Sequence, residues 1–378
     1  MDNKVLTNSK ALDNKELNSK ATKLDINLRA TNPDNVYDIK GIIELFNLTY
    51  GSTFPNKEVY MEDFWKERIG NRFISIVAEQ NSKIIGHIAC CPHKEDPQNI
   101  QIIMPVVAPN SNEQEILNIM WGLVEDLAVK KSWKMAYKFI TSYPKKMENT
   151  ISMIGNFYDS AIYPGHKLDE IATLEAKEIH TQTSYPILYS QHTFNSELIK
   201  NDYFYPPNAY VDIITDFYIG LKIPRRLGSD KSKKTFEIYS DIKPIELKSY
   251  KHTGLCRIYI TPSLLTSFTK DCIEYDTNRF SDALYYVNLL DPKCPDFCEY
   301  METKGYSFCG IVPLIDSGDY IIYSKNISNL KDFHFTKEAS ENLRDIILKN
   351  ENLIDENSDE NSKDRLAKVS TAHTTNLI

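Results

Sequence analysis

Glycine is scarce in this chain, at 13 of 378 residues. Loops that wrap phosphates use glycine because only a backbone without side chains approaches them closely, so the scarcity counts against a well-formed phosphate cradle. No apolar run approaches the roughly 18 residues of a membrane-spanning helix. The opening stretch, MDNKVLTNSKALDNKELNSK, has no apolar core and is not expected to be a secretory signal. The cysteines, at 90, 91, 256, 272, 294, 298 and 309, are odd in number and include no C-x-x-C pair. Neither a disulfide framework nor a zinc ribbon follows from them; buried free thiols in a reducing cytoplasm are the simpler reading. Basic residues are fewer than acidic ones, 44 against 52 for a net charge of −8, whereas a general nucleic-acid binder carries a basic excess.

What is present is the balance of a globular protein: 42% hydrophobic and 25% charged residues. A chain of 378 residues exceeds one ordinary core, so two domains are expected. Residues 1–24 are polar, with NSKA at 8–11 and 18–21, and read as a flexible arm; from Glu351 onward apolar periodicity is again missing. Between these ends the elements alternate. Leu28–Thr31 reads as a strand. Val36–Tyr50 carries a helical apolar stripe behind the turn-forming Asn32-Pro33-Asp34-Asn35, and Val59–Ile69 reads as a second helix. Strands are expected at Arg72–Glu79, Ile84–Cys91 and Ile100–Ala108, with a hairpin turn at Gln80-Asn81-Ser82-Lys83. A long helix over Glu113–Ser132, a strand at Lys134–Thr141, a helix at Lys145–Ile154 and strands at Phe157–Tyr163 and Ser184–Ser190 complete the first half. Strands then follow at Phe236–Tyr239 and Gly254–Ile260, a helix near Leu264–Tyr275, a strand at Tyr285–Leu290, a helix at Pro295–Lys304 and a hairpin of Tyr306–Leu314 with Tyr320–Ser324.

The order β, α, α, β, β, β, α, β, α, β, β and several strings resemble the GNAT superfamily of N-acetyltransferases. Leu28-Arg29-Ala30 stands where these enzymes open. Ile84-Ile85-Gly86-His87-Ile88-Ala89 resembles their third strand, and Val107-Ala108-Pro109 the close of the fourth. Thr141-Ser142-Tyr143-Pro144 is similar to the T-x-H-P of a tandem branch, with Tyr143 where a histidine is usual. Tyr205-Pro206-Pro207-Asn208-Ala209-Tyr210, Phe217-Tyr218-Ile219-Gly220-Leu221, Val287-Asn288-Leu289-Leu290-Asp291-Pro292 and Gly305-Tyr306 through Pro313 resemble later segments of that branch. The resemblance implies a mixed α/β fold of two GNAT-like domains, each a mostly antiparallel sheet flanked by helices. It sets the expected divisions: an arm over 1–26, a GNAT-like domain over 27–195, a linker with a basic segment over 196–234, a second, partial domain over 235–330, a helix over 331–350 and a disordered tail over 351–378.

The resemblance also implies transfer of an acetyl or other acyl group from acyl-CoA to an amine, on a small molecule or a peptide, in the cytoplasm, with no nucleic-acid or membrane partner. In this superfamily a splayed fourth strand offers a backbone N–H to the thioester, and a loop of the form R/Q-x-x-G-x-G/A wraps the pyrophosphate at a helix N-terminus. The implied cofactor residues are Val106, Val107, Asn112, Gln114, Glu115, Ile116 and Leu117. The loop departs from the family: Asn112 replaces the arginine, and Glu113, Glu115 and Leu117 replace glycines. A carboxylate about 6 Å from a phosphate charge opposes it by roughly 3 kcal/mol at an effective dielectric near 20. The same glutamates suit the first turn of a helix, whose macrodipole favours acidic side chains.

Family members often use a tyrosine on the helix after strand five to protonate the thiolate, but Lys145–Ile154 contains none. Tyr143 and Tyr158 flank it, and His87 is a general-base candidate by side-chain type. Against these stand plainer roles, a strand-edge tyrosine with a satisfied hydroxyl and a packed histidine. Cys90-Cys91-Pro92-His93 lacks a second ligand pair, and no metal is expected. The basic run Lys222–Lys234 is either an anion contact or a solvated linker. A binding module on a degenerate tandem fold is the alternative to an enzyme.

Overall fold

The computed structural model describes residues 25–52, 54, 56–141, 145–164, 186–229, 243–250, 255–265, 283–315, 318–325, 327, 330–331, 333–335 and 337–349. The expected arm over 1–24, the strand at Phe236–Tyr239, most of the helix near 264–275, the basic residues 231–234, Tyr143 and the tail over 351–378 lie outside the described residues.

The chain enters through β1 (Asn27–Ala30), whose Arg29 side chain bonds Asp38 and, at 2.8 Å, Glu79. The turn that follows ends at Asn35, whose side chain caps α1 (Val36–Tyr50) by accepting from the N–H groups of Tyr37 and Asp38. The α1 stripe of Ile39, Ile42, Leu45 and Phe46 is buried. The single helix expected over Val59–Ile69 is two pieces, a 3-10 turn over Lys57–Tyr60 and α2 (Glu62–Arg68). Extended Met61 separates them, which apolar periodicity cannot reveal.

β2 (Ile74–Gln80) turns into β3 (Lys83–Pro92) through Asn81 and Ser82, both at positive φ, as a tight two-residue hairpin requires. Next come β4 (Asn99–Val107), α3 (Glu113–Lys131), β5 (Met135–Thr141), α4 (Lys145–Ser152), β6 (Tyr158–Tyr163) and β7 (Ile187–Thr193). Helices α1 and α2 cover one face of the sheet against Val77, Ala89 and Val106. Helix α3 covers the other against Ile76, Ala78 and Ile88. Gly86 on β3 is where α3 comes closest: a Cβ there would stand 2.8 Å from Ile116 and 2.9 Å from the sulfur of Met120.

The expected linker over 196–234 carries structure in its described part. β8 (Asp202–Phe204), α5 (Val211–Gly220) and β9 (Arg225–Leu227) follow one another, and Phe204, Tyr210, Ile214, Phe217 and Tyr218 are buried. The chain then forms β10 (Ile245–Tyr250), β11 (Leu255–Ile260), β12 (Ala283–Asn288), α6 (Cys294–Thr303), β13 (Ser307–Ile315), β14 (Gly318–Ser324) and α7 (338–349).

Among the described residues, all strands but β8 and β9 join one twelve-stranded sheet, ordered β1-β2-β3-β4-β5-β7-β6-β13-β14-β12-β11-β10. The run β4-β5-β7-β6, with β4 parallel to β5, recurs as β11-β12-β14-β13, with β11 parallel to β12. The two runs abut where β6 meets β13, antiparallel, at the register pair Ala161 and Gly310. One buried cluster crosses this seam, from Tyr137 and Tyr189 to Tyr286 and Tyr323. The architecture is therefore mixed α/β with a mostly antiparallel sheet.

Candidate functional site

The feature that defines the site is a split between two parallel strands. β4 and β5 pair only at Asn99–Gln101 with Met135–Tyr137, although β4 runs on to Val107 and β5 to Thr141. A bulge marks β4 just past the last paired residues. His87 faces Val106 while Ala89 faces Ile103, so β4 spends one residue more than β3, and Met104 is left-handed at φ 51°. Bulges bend a strand and break its pairing, which turns β4 away from β5.

His87 holds that bulge in place. Its ring is fully buried, edge-on to Trp65, with Nδ1 2.9 Å from the Met104 carbonyl and Nε2 2.9 Å from the Ser75 hydroxyl. A carbonyl only accepts, so Nδ1 carries the proton and Nε2 accepts from Ser75. Burial pushes its pKa down to about 4, with the Met104 carbonyl acting in the opposite sense. Both ring nitrogens are thus committed within the fold, on the strand beside the split.

The residues of the implied cofactor loop do come together along the edge of the split. Val106 and Val107 end β4 with both side chains buried, and Asn110 turns the chain at φ 66°. Asn112 then caps α3. Its Oδ1 accepts from the Glu115 N–H at 3.4 Å, and its amide donates to the Glu115 carboxylate at 2.8 Å. The helix N-terminus is thus engaged by its own side chains, in the manner of a capping box. Glu113 reaches across and accepts from the Thr150 hydroxyl on α4. Gln114 donates to Asn118 at 2.9 Å and to the Met153 carbonyl at 3.2 Å. Ile116 and Leu117 are buried against β3 and β2. Tyr50, at the end of α1, is buried nearby, and burial followed by the charge of Glu113 raises its pKa.

Of the catalytic candidates, Tyr143 lies outside the described residues and Tyr158 stands apart from the loop. Tyr158 pairs with Gln191, Gln191's strand neighbour is Tyr137, and Tyr137 pairs with Gln101. Tyr158 is therefore level with the closed end of the split, two strands beyond β5. Its ring lies against Phe217 and over Gly220 of α5, and burial raises the pKa of its hydroxyl. Cys90 is buried with its thiol pushed up to about 12, first by burial and then by Cys91, which leaves it an unreactive thiol at neutral pH. Sequence reading passed over Met104, Thr150 and Tyr50. The bulge has no sequence signal of its own, but Asn112-Glu113-Gln114-Glu115 is readable as a capping box.

In the second run the corresponding strands stay together. β11 and β12 pair from Cys256 with Ala283 through Ile260 with Val287. Among the described residues this half shows no split of its own.

The strand order and the splayed fourth strand are those of the GNAT fold named above. No family model matches the chain, and no curated protein matches it in sequence. Solved structures of similar shape include an N-acetyltransferase from Staphylococcus aureus, 13% identical, covering 45% of this chain and 97% of its own at a TM-score of 0.33. An aminoglycoside 6'-N-acetyltransferase from Enterococcus faecium is 10% identical over 45% and 97%, at 0.33. Another aminoglycoside 6'-N-acetyltransferase, complexed with coenzyme A, is 12% identical over 45% and 97%, at 0.32. These superpositions are loose, and the fold stands on its own strand order, bulge and split. No helix of the described residues is long and apolar enough to cross a membrane.

Proposed function

We propose that the protein is a GNAT-type N-acyltransferase built from two GNAT-like units, which transfers an acyl group from acyl-CoA to the amine of a small molecule or peptide. The observation that supports this reading is the split, with β4 bulged at Met104 and parted from β5 after Gln101. A parted strand leaves main-chain groups free to meet a thioester, which costs stability and has no structural purpose of its own. In this reading the amine attacks the thioester carbonyl directly, and the thiolate of CoA leaves with a proton. Val106 and Val107 flank the acyl thioester, and the first turn of α3 faces the pyrophosphate. The donor is held chiefly through its pantetheine and acyl ends, since Glu113 and Glu115 oppose its phosphates.

A second reading, a non-catalytic binding module on the same fold, is favoured by one observation: Glu113 is tied across to Thr150 and Asn112 to Glu115. Calorimetric titration with acetyl-CoA separates the two. The acyltransferase reading expects weak binding by the native chain and binding at least about tenfold tighter for the joint Glu113→Gly and Glu115→Gly variant, because charge repulsion is removed. No heat from either protein at millimolar ligand leaves only the binding module. Low-micromolar binding by the native chain instead places the glutamates outside the pyrophosphate site.

A further inference from the structure

Basic side chains converge on a cavity beyond the closed end of the split. It has a volume of about 390 Å3 and lies where the Gly155–Tyr158 turn, the end of β7, the residues after α5 and Lys337 meet. Lys222 and Lys337 line it, together with His192, Phe157 and Tyr158. Lys138 lies under the same turn. Its buried ammonium donates to the Ile151 and Ile154 carbonyls at 2.7 and 2.9 Å and sits 4.1 Å from the centre of the Phe157 ring.

The charge on this cavity is not balanced. Of the carboxylates nearby, Asp159 is buried beside Lys138 and accepts from the hydroxyls of Ser190 and, at 2.7 Å, Ser340. Asp216 on α5 faces Tyr158. Among the described residues, neither the Lys222 nor the Lys337 ammonium makes an ion pair or a hydrogen bond, although the backbone of each does. Both are felt by their neighbours: burial first, then the charge of Lys337, lowers the pKa of Lys138, and Lys222 is among the causes that lower that of His192. Two ammonium groups without a partner among the described residues on one cavity, in a chain of net charge −8, favour an anion between them.

We propose that this cavity binds a small phosphate monoester, with the phosphate held between Lys222 and Lys337 and the organic part against Phe157 and Tyr158. Lysine ammonium groups approaching from separate elements suit a tetrahedral phosphate. Lysine meets phosphate as a point charge. The volume is within the range of small-ligand pockets, roughly 300–1,000 Å3. His192 donates from Nδ1 to the Asn156 carbonyl at 2.9 Å and stays neutral, so it adds no third charge. The proposal is independent of the acyltransferase reading, since the cavity shares no residue with β4, β5 or the Asn112–Leu117 loop.

The probes are phenyl phosphate and inorganic phosphate, titrated into the full chain by calorimetry and followed by ligand phosphorus resonance. Phenyl phosphate should bind the native protein, and the joint Lys222→Gln and Lys337→Gln variant should bind it at least about tenfold more weakly, about 1.4 kcal/mol. Lys222 is exposed and Lys337 half-buried, so the thermal midpoint should not move. Should the joint variant fail to fold, each single variant carries the same expectation at a smaller fold-change. Equal affinity of native and variant proteins overturns the proposal, as does no signal from the native protein up to about 10 mM ligand. Inorganic phosphate binding as tightly as phenyl phosphate overturns the assignment of the organic part. Displacement of phenyl phosphate by acetyl-CoA overturns the separation from the acyl-donor site.

Discussion

The Arg225 guanidinium grips the Asp319 carboxylate with two hydrogen bonds, 2.7 Å from Nε and 3.1 Å from Nη2, across 94 residues of chain. Their side chains are 3% and 1% exposed. The Tyr218 hydroxyl and the Leu314 N–H donate to the same carboxylate at 2.8 and 3.0 Å. The pair thus fastens β9 and α5 to the β13–β14 hairpin. Replacing Asp319→Ala strands a buried cation and should cost about 3–5 kcal/mol, read as a lower urea midpoint. The joint Arg225→Met and Asp319→Leu change should recover most of that loss. A single variant as stable as the native chain would show that the pair is dispensable.

That ion pair also marks the limit of what the sequence discloses. The bounds of α1, the hairpin at Asn81 and Ser82 and the parting of β4 from β5 all followed from periodicity, turn residues and family resemblance. Each is local or repeats at short spacing. Arg225 was part of a basic run that reads as a solvated linker, and nothing within ten residues of it signals a partner at Asp319. The helix expected over Val59–Ile69 is divided by a break at Met61 that has no proline or glycine to announce it. At the candidate site, the resemblance aligns Asn112 to Leu117 with a phosphate loop, and four of these residues, Asn112 to Glu115, also cap α3. Both readings use the same positions, and the cap is visible only in side-chain geometry.

His87 makes stability depend on pH. Its folded pKa, about 4, lies below the ordinary histidine value of 6.5. The unfolded chain therefore binds the proton first, and the contribution is fully present above pH 6.5 and lost as pH falls towards 4. The slope in that window is about 1.4 kcal/mol per pH unit. Comparing the native chain with His87→Gln, the native unfolding free energy should fall by roughly 2 kcal/mol more between pH 7 and pH 5. Parallel pH profiles for the two proteins would contradict this.

Asn112 closes the N-terminus of α3, so Asn112→Ala should destabilise the fold by about 1 kcal/mol, seen in chemical denaturation. Asn112→Ser should restore most of it, because serine caps a helix through the same N–H. If neither change moves the midpoint, the Asn112–Glu115 bonds contribute nothing net.

Gly310 permits the contact between the two runs of strands. It sits at φ 113°, and a Cβ there would stand 2.2 Å from the Ser160 carbonyl oxygen and 2.5 Å from the Ala161 Cα. These are backbone atoms that cannot yield as a side chain can. Gly310→Ala should cost at least about 3 kcal/mol. Exchange of the β6 and β13 amides should rise above that of β2 and β3. Uniform exchange across the sheet would mean that the seam absorbs a methyl group without opening.

The same seam sets a timetable for synthesis. β6 gains β7 on one side within a few tens of residues, but its other side waits for β13. At ribosomal rates of about 5–20 residues per second, the intervening stretch of about 150 residues takes on the order of ten seconds to emerge. For that interval the nascent chain shows a row of unpaired N–H and C=O groups, which invites pairing with any other extended strand. The finished molecule hides this liability in the middle of its sheet. A chain interrupted between residues 195 and 300 retains it, so truncated products should collect in inclusion bodies while the full-length chain stays in solution.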